Sequence, residues 1–244
     1  MDPAASRIRQ AMQAVSLLRL GRASQPAVEQ ACLEIKRFQA LRFRATYPDL
    51  LHNPRYGGAA SFFLRELYGE QDYAQRDRQF ARIANTIARL FPQAVVETAA
   101  SLAEVHALTE QLDDSMARQW LAASGPTVQG RYIQCWRMVG DRSARFRQLK
   151  EVLHLGRELD RLTRRRGLRS LLRMMRAPAA AAGLSSLQGF LEAGFDCFSG
   201  MKGASEFLGL IESRESGWIN ALFDDDAVTC ETKLHELLAG PSPN

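Results

Sequence analysis

"QAVVETAASLAEVHALTEQLDDSMARQWLAA", residues 93–123, decides the fold class. At 100° per residue Leu102, Val105, Thr109, Leu112, Met116 and Trp120 fall on one stripe, and neither glycine nor proline interrupts the pattern before Gly125-Pro126. A strand cannot carry that period over 31 residues, so the stretch reads as one long helix. His106 and Asp113 lie seven apart on the edge of the stripe, which makes them the polar pair of most chemical interest.

The same period extends in both directions. Ile8, Met12, Val15 and Leu18 stripe a first helix from about Ala4 to Leu20, with Gly21 after its end. Ser24 is the expected cap of a second helix, whose Val28, Cys32, Ile35 and Phe38 repeat until Tyr47-Pro48 stops it. After the connection "YPDLLHNPRYGG", a short helix is expected from Ala59 to Tyr68, closed by Gly69. Asp72 is the expected cap of a further helix striped by Phe80, Ile83, Ile87 and Leu90.

Downstream, a helical stretch from Val128 breaks at Gly140-Asp141 and continues toward Gly167. "APAAAAG", residues 177–183, has no large side chain to anchor it and reads as a linker. Further helices follow over 185–199, 204–223 and 227–238. The expectation is therefore all-α: a bundle of about eight to ten helices, with 1–176 as its main part. Residues 184–238 form a smaller C-terminal lobe packed on it as one domain.

At 244 residues and 46% hydrophobic content, the chain can fill a sizeable core without staples. Cys32, Cys135, Cys197 and Cys230 lie far apart with no C-x-x-C, the pattern of free thiols in a reducing compartment. The N-terminus interrupts its apolar residues with Arg7, Arg9 and Arg19, unlike a signal peptide, and no run of eighteen apolar residues suggests a membrane span. A cytoplasmic location is expected.

"RYGGAASFFLRELYGEQDYAQRD", residues 55–77, concentrates aromatic residues, glycines and an Arg-Asp dipeptide at a helix-turn-helix corner. Phe62, Phe63, Leu67 and Tyr68 are expected to seal against Phe80, Ile83 and Ile87, with Arg55 offering Asp77 or Asp72 a partner. Together with "FQALRFRATYPDLL", "DYAQRDRQFARI" and "LAEVHALTEQLDDSMA", this stretch resembles an uncharacterised family of helical bacterial proteins, a domain of unknown function. The resemblance covers about residues 37–117, with weaker similarity over 187–215. It implies a helical fold and a bacterial origin, and no chemistry.

Other motifs are incomplete. Glu151 and His154 have the Glu-x-x-His spacing of di-iron bundles, but no second copy exists. Asp113-Asp114 lacks the third acid of a magnesium cluster, and Asp224 to Asp226 reads as a helix end and a cap. Gly57-Gly58 has no Walker lysine, and no serine sits on a nucleophile elbow. No metal or cofactor is expected.

The net charge of +5 is uneven, since residues 131–176 hold 14 Arg and Lys against four acids. Arg157, Arg161, Arg164, Arg165, Arg166, Arg169, Arg173 and Arg176 make a basic face interleaved with Leu and Met. Such a face suits an acidic protein or an anionic surface. Specific nucleic-acid recognition is not indicated, because aromatic residues for base stacking are distant.

Two functional expectations follow. The first is a non-catalytic binding or interaction protein using the basic face, with its oligomeric state open. The alternative is an enzyme or small-ligand protein with a pocket among Arg55, Tyr56, Tyr68, Arg76, Asp77, His106 and Asp113.

Overall fold

The structure, a computed structural model, describes residues 2–66 and 73–240. Among these residues the chain is helical throughout, in thirteen segments. They are α1 (Pro3–Ala23), α2 (Pro26–Thr46), α3 (Pro48–Leu51), α4 (Gly57–Glu66), α5 (Ala74–Leu90), α6 (Gln93–Ala122) and α7 (Val128–Val139). Then come α8 (Arg142–Thr163), α9 (Leu168–Met174), α10 (Arg176–Ala181), α11 (Ser185–Gly200), α12 (Ser205–Asp224) and α13 (Ala227–Ala239). Eleven have at least seven residues, a finer division than eight to ten because the arginine-rich region breaks into α9 and α10. Leu67, Tyr68, Gly69 and Asp72 of the expected corner lie outside the described residues.

Local chemistry explains most boundaries. Asp2 Oδ1 accepts from the backbone N–H groups of Ala4 (2.9 Å) and Ala5 (3.1 Å), and Pro3 opens α1 where its missing N–H costs nothing. Asp141 and Asp226 cap α8 and α13 in the same way. Gly140 stops α7 at φ 66°, a left-handed conformation that favours glycine.

Three boundary expectations are corrected. Helix α1 runs through Gly21 to Ala23, since burial of Arg22 outweighs one glycine's propensity. Ser24 sits at the C-terminal end of α1, its hydroxyl donating to the Gly21 carbonyl at 2.8 Å, while Pro26 starts α2. The alanine run read as a linker is α10: alanine is the best helix former, and Pro178 lies in the first turn, where it is tolerated.

Helix α6 is the axis of the fold. Its 30 residues, about 45 Å at 1.5 Å per residue, contact α1, α2, α5, α7 and α8. One apolar core joins α1 and α5 to Val96, Ala100 and Ala103 in its first half. A second and larger core gathers α2, α4, α7, α8 and the C-terminal helices around Met116, Ala117 and Trp120 in its second half. Between the two, residues 106–114 of α6 carry His106, Glu110, Asp113 and Asp114.

The C-terminal helices enter the larger core directly. Phe207 is fully buried and its ring lies 5.8 Å from those of both Tyr56 and Phe63. Gly156 lets α8 close on α12, because a Cβ there would sit 2.6 Å from Leu208 Cδ2. No described helix is long and apolar enough to cross a membrane.

Candidate functional site

A charged layer separates the two cores. Glu110 is 2% exposed and takes three cations from two other helices: Arg22 Nη2 at 2.7 Å, Lys36 Nζ at 2.9 Å and Arg19 Nη2 at 3.3 Å. Burial alone would raise its pKa, but Lys36, Arg19 and Arg22 outweigh that and hold the carboxyl well below the usual range. Asp114 lies one residue round the helix from Asp113 and binds Arg118 Nε at 2.8 Å.

His106 joins the other end of this layer. Its Nε2 lies 2.9 Å from Asp77 Oδ2, which also receives Arg19 Nη1 at 2.8 Å. Burial would raise the Asp77 carboxyl, yet His106, Arg19 and Arg76 lower it, so it is a carboxylate and Nε2 carries the donated hydrogen.

His106 and Asp113 do not meet. Seven residues are two turns, about 10 Å along the axis, and each finds its own partner. Asp113, 3% exposed, accepts from Gln39 Nε2 at 3.1 Å. Burial pushes its carboxyl up, Lys36 opposes that, and Glu110 adds to it.

The remaining corner residues disperse. Arg76 donates to Glu66 (2.5 Å), lies 3.7 Å from Asp77 Oδ1 and stacks on the rings of Tyr73 and Phe190. Arg55 does not reach Asp77; it donates to the carbonyls of Met201 (2.7 Å) and Gly203 (3.1 Å), tying the α11–α12 turn to α4. Tyr56 donates its hydroxyl to Glu206 at 2.5 Å. Tyr68 lies outside the described residues.

Two chambers, each partly open, flank α6 instead. The larger, about 180 Å³, lies between α5, α6, α8, α9 and α11, with walls such as Phe80, Ile87, Leu102, Leu155, Leu172 and Phe195. Among the described residues, polar side chains reach it only as Glu66, Thr98 and Gln188. The seam expected between Phe62, Phe63 and the Phe80 stripe is therefore a chamber wall on each side. Phe62 and Phe63 press on Phe190, Phe198 and Phe207 of the C-terminal helices.

The smaller chamber, about 80 Å³, has the more polar lining of the two. Gln39, Arg42, Thr109, Asp113, Arg145, Gln148 and Glu215 line it with Tyr132 and Trp136. Arg42 and Glu215 form a close pair at 2.8 Å, and Gln148 donates to Thr109 at 2.8 Å. Phe63 and Val152 line both chambers and partition them.

The sequence reading missed Glu110, Asp114, Lys36 and Arg145. Glu110 and Asp114 had a signal, because acids at 110, 113 and 114 share a helical face, as do their partners Arg19 and Arg22 on α1; Lys36 had none. Arg145 had none, because its burial depends on α8 crossing α6.

On the basic face all eight arginines are exposed. Five bind acids of the same chain: Arg157 to Glu212, Arg161 to Glu158, Arg164 to Asp160, Arg169 to Asp196 and Arg176 to Glu192.

A family model described as Domain of unknown function (DUF8198) matches residues 19–229. No curated protein and no solved structure matches the chain.

Proposed function

The chain belongs to the DUF8198 family, and from that premise we propose that it binds a small, largely hydrocarbon molecule in the larger chamber. The observation that carries this reading is a chamber of about 180 Å³ whose walls are aliphatic and aromatic. An apolar cavity of about 150 Å³ suffices to take up benzene. At about 24 cal/mol per Å³ a void this large costs roughly 4 kcal/mol, a cost that a fitting ligand removes. The reading takes the protein to be cytoplasmic, supported by four free cysteines.

Naphthalene is a suitable probe. It should raise the melting temperature of the wild type, with a stabilisation of about 2.7 kcal/mol at a hundredfold excess over Kd. Ala99 lines the chamber, so Ala99→Phe fills it. That variant should melt no lower than wild type and lose the naphthalene shift. Equal shifts in both proteins, or none in either, would sink the reading.

A second reading, the acidic partner, has one observation in its favour. Arg165 and Arg166 project from the turn between α8 and α9 with no acid bound to them among the described residues. If that turn docks an acidic surface, Arg165→Glu with Arg166→Glu should abolish retention on immobilised polyglutamate and flatten its salt dependence. Unchanged retention at every salt concentration would exclude it.

A further inference from the structure

We infer that the polar chamber receives the uncharged, oxygen-bearing end of an amphipathic molecule whose hydrocarbon body fills the larger chamber. This deepens the reading above and rests on it. The two spaces share Phe63 and Val152 as walls, so a single molecule reaching past those side chains would occupy both.

The chemistry of the end group follows from the lining. Arg42 is paired with Glu215 at 2.8 Å and Arg145 shares the chamber with the buried Asp113, so its cations already have acids beside them without a ligand. A carboxylate or ammonium group would lose its hydration on entering and find no uncommitted counter-charge. A hydroxyl or carbonyl pays far less. Trp136, 6% exposed, supplies a donor: its indole Nε1 is buried with no acceptor within hydrogen-bond distance among the described residues. Asp113, buried and accepting from Gln39 at 3.1 Å, offers oxygen in the same chamber.

Size agrees with this assignment. About 80 Å³ holds a hydroxymethyl or acetyl group and not a sugar or a phosphate ester. The walls of the larger chamber leave little else to read: Glu66 is held by Arg76, and Gln188 donates to the Leu172 carbonyl. Discrimination between ligands of similar body therefore falls to the polar chamber.

Three probes with one body and different ends test the assignment: n-butylbenzene, 4-phenyl-1-butanol and 4-phenylbutyrate, titrated into the full chain. The alcohol should bind about tenfold more tightly than the hydrocarbon, the gain of one buried hydrogen bond. The carboxylate should bind most weakly. Trp136→Phe, checked for an unchanged circular dichroism spectrum, should reduce the alcohol to the affinity of the hydrocarbon and leave the hydrocarbon's affinity as it was. Equal affinity of alcohol and hydrocarbon in the wild type overturns the inference while the apolar reading stands, and tightest binding of the carboxylate overturns it too. If no probe binds, both fall.

Discussion

Glu110→Gln should destabilise the protein by about 3 to 5 kcal/mol, the largest loss expected from any single polar side chain. The magnitude comes from what is left behind. Arg22 is 3% exposed and reaches Glu110 at 2.7 Å, while Lys36 and Arg19 point at the same carboxylate from α2 and α1. Removing the one negative charge that all three share leaves cations in a layer between two apolar cores. Glutamine can accept one of those hydrogen bonds but cannot offset the charge. Urea denaturation at neutral pH measures the loss, and a loss below about 1 kcal/mol would show that solvent screens the layer.

The same residue sets an acid limb. Its folded pKa is depressed, so its contribution is present above the ordinary glutamate value of about 4.3 and disappears as the pH falls below that. Asp113, three residues along, has the opposite sign. Burial raises its carboxyl, so the folded state favours the protonated form and this contribution is lost as pH rises through the folded value. Glu110→Gln should therefore flatten the acid side of the stability profile. Asp113→Asn should leave that side intact.

Why the helices were legible and the chambers were not is a matter of range. Helix α6 announced itself through a period maintained over thirty residues, and Asp141, Gly140 and Asp226 marked their boundaries by local chemistry. His106 and Asp113 looked like a pair because sequence gives angle around a helix, whereas the ten or so ångströms along it separate them. Phe62 and Phe63 were read as buried, and they are, but against Phe190, Phe198 and Phe207, more than 120 residues away. A void is a failure of distant helices to close, and no local pattern encodes it.

The contact across that distance carries the remaining prediction, on how many folding units the chain has. We propose that residues 1–176 and 184–238 unfold together. Phe207 supports this: it is fully buried against Tyr56 and Phe63, and Tyr56 in turn donates to Glu206. Arg42 on α2 and Tyr47 just after it both bind Glu215 on α12, and Arg214 binds Asp49 through two bonds of 2.7 Å. Phe207→Ala removes the ring at the centre of this junction and should cost about 3 to 5 kcal/mol. The three tryptophans separate the alternatives, because Trp120 and Trp136 report on α6 and α7 and Trp218 on α12. If the chain is one unit, tryptophan fluorescence and far-ultraviolet circular dichroism shift to lower denaturant by the same amount, in one transition. An independent C-terminal lobe would instead melt alone in Phe207→Ala, with Trp218 reporting first in a variant lacking the other two indoles and the signal of Trp120 unmoved.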